Sequence, residues 1–305
     1  LSEDLPPSKK RNDYAGLLPQ KGWPKRNYRF FRHHLVPGMF RKAGGEMSLP
    51  VPEPPAEGAV RITWIGHASF YLQFAGHSVI VDPNWAGWHG PVKRQIKPGL
   101  KLADVPEVDL VLVTHAHFDH LHKPSLKILQ AREGIVVPCG SGSLVKRLGF
   151  PAVHEMKVWD ELSFDQLQVI HTPSHHWGAR FLHDTHRDYG GYLVSAGGKS
   201  VFHCGDSAYF DGFEEIGKRH EIDVALMPIG AYEAPSGRDV HMNPEEAVRA
   251  FADLGAQVLI PMHYGTFPLG NEPLAEPVER LLAEADRLGI SERVLILEAG
   301  VGIEW

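Results

Sequence analysis

The segment Leu112-Val113-Thr114-His115-Ala116-His117-Phe118-Asp119-His120-Leu121 places three histidines and an aspartate within six residues, directly after the apolar run 108–113. An apolar run of that length that opens into a polar loop reads as a buried strand. A loop leaving such a strand can turn several side chains towards one point, and neutral imidazole with carboxylate suits a borderline divalent ion such as zinc. Three histidines and an aspartate so close together crowd one ion and suit two, the arrangement that holds and activates a water between metals. The fold must therefore present a ligand-bearing loop at the end of a buried strand.

Later strand ends supply further ligand types. His175-His176-Trp177 follows the strand-like 167–171, Asp206 ends the segment 200–206, and His263 ends 258–263. A lone histidine or aspartate at such a place is ordinarily a hydrogen-bonded core residue. The upstream cluster turns these into metal-ligand candidates.

Length and composition fit a globular enzyme. A chain of 305 residues with 43% hydrophobic content can bury a large core, and an α/β sandwich plus an arm accommodates it better than two unrelated domains. The net charge of -6 argues against a nucleic-acid partner. Cys139 and Cys204 are the only cysteines and lie far apart, so no disulfide framework is expected. No apolar stretch approaches a membrane span. The first residue is Leu rather than Met, which is consistent with removal of an anchor or signal.

Residues 1–58 read as a Pro-rich, partly basic arm that ends in Pro50-Val-Pro-Glu-Pro-Pro55, and residues 59–305 as the catalytic body. Strands are expected at 61–65, 69–74 and 78–81, with Ala75-Gly76-His77 as a hairpin turn. Helices are expected at 123–132, 143–148, 243–254 and 277–288, and a final strand at 293–297. In the third helix Asn243 can cap, Pro244 suits the first turn, and Glu245 and Glu246 favour the positive end of the dipole. A weak internal repeat joins Tyr71-Leu72, Ala75-Gly76, Ser78-Val79 and Asp82 to Tyr192-Leu193, Ala196-Gly197, Ser200-Val201 and Asp206. Both copies describe a hairpin whose second strand delivers an aspartate, as two similar halves of a sandwich would.

The run His115-Ala-His117-Phe-Asp119-His120 resembles the His-x-His-x-Asp-His motif of the metallo-β-lactamase superfamily. The resemblance implies an α/β fold, an αββα sandwich with one or two metals, and names no reaction, because members hydrolyse lactams, thioesters, lactones, phosphodiesters and RNA. Gly66-His67-Ala68-Ser69, Asp82-Pro83, His176-Trp177, Gly205-Asp206-Ser207-Ala208-Tyr209, His241-Met-Asn-Pro-Glu-Glu246 and His263-Tyr-Gly-Thr-Phe267 together look like the N-acylphosphatidylethanolamine-hydrolysing phospholipase D group. The match covers most of residues 60–275, and Gly22-Trp23-Pro24 with 27–31 resembles the entry into that group.

By this resemblance two zinc ions are implied, the first held by His115, His117 and His176, the second by Asp119, His120 and His263, with Asp206 bridging. His176 is chosen over His175 because the phospholipase group carries its ligand immediately before Trp; His175 stays open as the alternative ligand, or as a donor to one. The implied reaction is hydrolysis of an N-acylphosphatidylethanolamine-like phosphodiester by a metal-bound hydroxide. Asp119 would also orient the nucleophile, and His241 would contact the phosphate or protonate the leaving group unless it belongs to the cap of the next helix. Tyr209 would donate to a phosphoryl oxygen unless it serves packing, while His67 and Asp82 would orient ligands without binding metal. The alternative is a lactonase or other carbonyl hydrolase of the sugar-phosphate lactonase type.

Between Lys21 and Lys42 there are seven Lys/Arg, no Asp or Glu, and interleaved Trp23, Tyr28, Phe30, Phe31, Met39 and Phe40. Such a segment suits peripheral contact with an anionic membrane, or an arm that packs its aromatics on the body and exposes its charges. The expected setting is the cytoplasm or a membrane surface, and homo-oligomerisation stays open.

Overall fold

Two strings of residues alternate their side chains between two apolar environments, and this alternation lays out the molecule. In a computed structural model that describes residues 23–45, 48–74, 76–181, 184 and 186–305, β1 (Val60–Gly66), β2 (Ser69–Phe74), β3 (His77–Val81) and β6 (Leu110–Leu112) are buried on both faces. Phe70, Leu72, Phe74, Val79, Val81, Leu110 and Leu112 enter one core, whereas Tyr71, Ile80, Val111 and Val113 enter a second. The period of two sends successive side chains to opposite faces, as a sheet covered on both sides requires.

The first core is the filling between two sheets. One has the order β15 (Gly302–Glu304), β1, β2, β3, β6, β7 (Ile135–Pro138), β8 (Val153–Met156). The other runs β14 (Val258–Met262), β13 (Val224–Pro228), β12 (Lys199–His203), β11 (Gly191–Ala196), β10 (Leu167–Thr172), β9 (Glu161–Phe164). Helices close the outer faces. Leu126 of α3 (Lys123–Leu126) and Val145 of α4 (Gly142–Val145) pack on the first sheet, and α5 (Gly212–Arg219), α6 (Pro244–Leu254) and α7 (Glu276–Arg287) lie against the second. This is the expected α/β, αββα sandwich. A short ribbon of β4 (Trp88–His89) and β5 (Val92–Lys93) stands apart from both sheets.

The internal repeat is visible as architecture. β2 and β3 pair antiparallel through Phe74 and His77 (Ala75 lies outside the described residues), and β11 and β12 pair antiparallel through Ala196 and Lys199. Each second strand then pairs parallel with the next, β3 with β6 and β12 with β13. Asp82 and Asp206 follow those two second strands, so both carboxylates lie at the same end of the sandwich.

Helix chemistry explains where the expectations held and where they changed. Asn243 caps α6, accepting from Glu246 N–H while the Glu246 side chain accepts from Asn243 N–H, and Gly255 ends the helix in a left-handed conformation. The expected helix 123–132 stops at Leu126 because Gln130 O is taken by Val108 N–H, which draws the chain back beside the sheet. That expected at 143–148 shortens to Gly142–Val145. The strand expected at 293–297 forms only a single bridge, Leu259 to Val294; the terminal strand is instead β15, paired with β1.

Residues 1–22 of the arm, with Lys21 and Gly22, lie outside the described residues. The rest holds α1 (Trp23–Phe30), a π turn (Phe31–Leu35) and α2 (Val36–Phe40), helices that the sequence reading did not anticipate. Pro37 has no N–H to continue an α ladder, and the π turn absorbs the mismatch before it. Phe30, Leu35 and Gly38 face inward, whereas Tyr28, Phe31 and Phe40 are exposed. The arm therefore divides its aromatics between body and solvent. Cys139 and Cys204 are both free thiols, as expected.

Burial also fixes a pH dependence. His171 is fully buried, and burial, only partly opposed by a backbone contact to Lys157 and by Asp160, lowers its pKa to about 4 from 6.5. The folded state thus binds fewer protons than the unfolded chain, so this stability is present above pH 6.5 and is lost as pH falls towards 4. Between pH 7 and 5 His171→Gln should lose about 2 kcal/mol less stability than the parent in urea unfolding. Equal losses for the two proteins would remove His171 from the account. A separate expectation concerns the cap: Asn243→Ala should cost about 1 kcal/mol, read as a shift in urea midpoint at unchanged slope.

Candidate metal centre

The site begins with a carboxylate that binds no ligand loop by chance. Asp82 has a left-handed backbone (φ 47°) and is fully buried. Its Oδ1 accepts from Thr114 N–H at 2.7 Å, and its Oδ2 accepts from Thr114 Oγ1 and His120 Nδ1, both at 2.6 Å. The Thr114 hydroxyl spends its proton there, so it accepts from His115 Nδ1 at 3.0 Å. His176 Nδ1 donates to Val240 O at 2.9 Å. Each of these partners accepts from Nδ1, which turns Nε2 of the imidazole towards the cluster.

Those ring nitrogens converge on one oxygen. Asp206 Oδ2 lies 3.1 Å from His263 Nε2, 3.2 Å from His120 Nε2, 3.7 Å from His176 Nε2, 3.8 Å from His115 Nε2 and 4.0 Å from His241 Nδ1. His117 Nδ1 sits 2.9 Å from His115 Nε2 and 3.3 Å from His176 Nε2. Asp119 Oδ2 is 3.6 Å from His263 Nε2 and 3.8 Å from His120 Nε2. Ligands at about 2.0–2.1 Å around a tetrahedral ion are separated by about 3.3–3.4 Å. The observed spacings cluster around that value in His115/His117/His176/Asp206 and in Asp119/His120/His263 with His67 alongside, and Asp206/His241/His263 form a third close set.

The donor set also suits an ion. His120 Nε2, Asp206 Oδ1, His241 Nδ1 and both His263 ring nitrogens are buried without a hydrogen-bond partner. An unsatisfied buried polar group costs about 1–3 kcal/mol. Three of these atoms, His120 Nε2, His241 Nδ1 and His263 Nε2, stand within 4.0 Å of Asp206 Oδ2, and on residues of metal-ligand type they fit bound divalent cations. Burial opposes the charge of Asp206, yet His120 and His263 overcome it and hold its carboxyl well below the usual range; Asp119 is held low mainly by His120 in the same way. Burial pushes His115 and His176 well down and His117 to about 4, so these imidazoles are neutral donors at neutral pH. His263 goes the other way, to about 9, because Asp206 and Asp119 outweigh its burial.

The loops that carry these residues lock one another. His67 N–H donates to Thr266 Oγ1 at 2.7 Å, and His67 O accepts from His263 N–H at 3.1 Å. His67 Nε2 holds Asp119 Oδ2 at 3.0 Å. His67 (φ 58°) and His263 (φ 59°) share the left-handed backbone of Asp82, a strain of roughly 1–3 kcal/mol each that concentrates at functional sites. Gly205 (φ 65°) permits the close approach of the Asp206 strand end, since a Cβ there would lie 2.7 Å from Gly190 O.

Of the remaining candidates, His241 is buried, stacks on His263 at 5.2 Å, and leaves helix capping to Asn243. His175 contributes its backbone to Ser207 and Ala208, and His176 is the one that joins the cluster. The Tyr209 hydroxyl donates to Asp253 at 2.6 Å near the far end of α6. Sequence reasoning missed Asn84, whose Nδ2 donates to Asp119 O at 2.6 Å, and the buried Arg94, whose guanidinium bonds Ile65 O, Asn84 O and Ile96 O. No spacing rule marks either, because both act on carbonyls.

A sandwich that gathers histidines and aspartates at one sheet edge defines the metallo-β-lactamase class of proteins. Residues 77–264 match the Beta-lactamase superfamily domain, and the chain belongs to that family. It is 35% identical over 238 residues to an uncharacterized protein of Mycobacterium tuberculosis, covering 74% of this chain and 64% of that protein. The chain thus spans about two thirds of the length of such relatives. It is 33% identical over 250 residues to a metal-dependent hydrolase of Methanopyrus kandleri, covering 80% of this chain and 100% of that one. It is also 31% identical over 276 residues to the mitochondrial N-acyl-phosphatidylethanolamine-hydrolyzing phospholipase D of Saccharomyces cerevisiae, covering 84% and 58%. Among solved structures, a metallo hydrolase from Ignicoccus hospitalis shares the fold with a TM-score of 0.64 at 24% identity, over 81% of this chain and 98% of that one.

The brace on His120 is open to test. Asp82→Asn replaces one acceptor oxygen with a donor that opposes the His120 and Thr114 protons. Metal affinity measured against a chromophoric chelator should fall by about 10- to 100-fold. An unchanged affinity would show that Asp82 only fills space.

Proposed function

We propose that this protein is a dinuclear metal-dependent hydrolase that cleaves a phosphodiester, with N-acylphosphatidylethanolamine-like phospholipids as its substrate class. The observation that carries the hydrolase reading is the convergence of two ligand groups on Asp206 Oδ2. His115 Nε2, His117 Nδ1 and His176 Nε2 would hold one zinc ion, and Asp119, His120 and His263 the other, with Asp206 between them. Bound there, the pair would supply Lewis acidity to a phosphoryl oxygen and lower the pKa of a coordinated water.

The chain's own residues do the rest. Asp119, fixed through His67 at one oxygen, orients the attacking water. His241 offers a ring nitrogen without a partner inside the cluster, and we assign it to a phosphoryl oxygen or the leaving group. The lipid class rests on similarity to the yeast enzyme and to the N-acyl-phosphatidylethanolamine-hydrolyzing phospholipase D 1 of Caenorhabditis elegans, at 31% identity each. The exposed Tyr28, Phe31 and Phe40 of the basic arm support peripheral contact with an anionic membrane. No helix among the described residues is long and apolar enough to cross a membrane. We take residues 59–305 as the hydrolase domain and the segment before it as its arm.

The test is metal analysis of the purified protein with an assay on N-acylphosphatidylethanolamine, a soluble phosphodiester and a sugar-phosphate lactone. Two ions per chain and release of phosphatidic acid, reduced at least about 1,000-fold in His115→Ala and Asp206→Ala, are expected. His241→Ala should retain both ions while losing about 100-fold in kcat. Turnover of the lactone alone would transfer the protein to the carbonyl hydrolases.

A further inference from the structure

One arginine outside the ligand set holds the ligand loop from both sides. Arg180 lies four residues after His176. Its Nη1 donates to Ala116 O at 2.9 Å and to Leu121 O at 3.0 Å. Those carbonyls flank His117, Phe118, Asp119 and His120, so a single guanidinium nitrogen closes the loop that carries three of the proposed ligands. Within the loop His120 N–H and Leu121 N–H both turn back to His117 O, at 3.3 Å and 2.8 Å, and from outside Asn84 Nδ2 donates to Asp119 O at 2.6 Å, but among the described residues only Arg180 joins the two end carbonyls.

A second contact fixes the middle of the loop. The Arg180 guanidinium stands 4.0 Å over the ring of Phe118, the residue between His117 and Asp119. Phe118 in turn meets Phe181 edge-on, with centroids 5.7 Å apart. Both phenyl rings are about half exposed, so the outer side of this stack is wet and the inner side is the loop. Stacking of a guanidinium on an aromatic face contributes about 0.5–2 kcal/mol, and a charged donor on two carbonyls adds more than a neutral one would.

We propose that Arg180 is the positioning residue of the 115–120 loop: by bridging Ala116 O and Leu121 O and capping Phe118, it sets the separation of His117 Nδ1 and Asp119 Oδ2. The two side chains belong to different ligand groups. Loss of the clamp therefore weakens both groups together, whereas loss of any ligand other than the shared Asp206 weakens mainly its own. Arg180 does not itself enter the cluster. Its effect is on the shape of the backbone from which the ligands hang.

The inference rests on the metal-centre reading only for its metal arm, and the test separates the two. Arg180→Met keeps length and removes all donors; Arg180→Lys keeps charge and donors without the planar stack; Phe118→Leu removes the stack alone. Hydrogen exchange of the metal-free protein is followed first. In Arg180→Met the peptide that covers residues 116–122 should exchange at least about 10-fold faster, with the strands β2 and β11 unchanged as an internal control of folding. Chelator competition follows, where both ions should bind about 10- to 100-fold more weakly and the visible spectrum of the cobalt-loaded protein should change. Lysine should restore part of each effect, and Phe118→Leu should show a smaller version of both. Unaltered exchange in Arg180→Met overturns the clamp. Faster exchange with unchanged affinity for both ions overturns its link to the ligands. A parent protein that binds no ion would sink the metal centre while leaving exchange to decide the clamp.

Discussion

A single buried oxygen, Asp206 Oδ2, meets four imidazole Nε2 atoms within 3.8 Å and a fifth ring nitrogen at 4.0 Å. A carboxylate in such a place is expensive unless positive charge accompanies it. The imidazoles answer that demand unequally. Burial holds His115, His117 and His176 neutral, while Asp206 and Asp119 lift His263 to about 9 and His120 well above its ordinary value. One group is thus already in the form a cation needs, and the other trades protons for a cation. The rest of the site follows from keeping these nitrogens aimed at one point.

The two halves of the sandwich divide that labour. Asp82 and Asp206 follow equivalent hairpins, yet Asp82 turns its oxygens outward to Thr114 and His120 and Asp206 turns one inward. The repeat gives the protein two carboxylates at one edge, and the neighbours decide which one braces His120 from behind and which one faces the histidine cluster. Thr114 is the pivot, since its hydroxyl donates to Asp82 and accepts from His115. A buried donor–acceptor chain of this kind fixes tautomers as well as positions.

Much of this was legible in the chain because the ligands sit at strand ends, where alternation and apolar runs are strong signals. His115, His117, Asp119 and His120 announce themselves by spacing, and His176, Asp206 and His263 each follow a run that folds as β10, β12 or β14. The rest depended on partners distant in sequence. The Tyr209 hydroxyl pairs with Asp253, 44 residues away. The final strand formed at Gly302–Glu304 rather than at 293–297 because pairing with β1 was available there, and pairing is not a local property. Helices in the arm were hidden by Pro24 and Pro37, which stand at helix starts where proline is tolerated.

Backbone-directed side chains are the part that spacing cannot reveal, and they account for the stiffness of the edge. Arg94, Asn84, Trp64 and Thr266 all act on main-chain groups: Arg94 on Ile65, Asn84 and Ile96, Asn84 on Asp119, Trp64 on His67 O, Thr266 on His67 N–H. Gly66 is required where Arg94 passes, because a Cβ there would collide with the guanidinium. A metal ligand needs placement to within a fraction of an ångström, and a loop supplies that only if its carbonyls and amides are tied to something rigid. The left-handed backbone at His67, Asp82 and His263 shows the cost of that placement. The large cores on either side of the first sheet offset it, since each fully buried Phe, Leu, Ile or Val contributes about 1.5–3 kcal/mol. The double-faced burial of β2, β3 and β6 is thus the physical source of the rigidity on which the ligand geometry draws.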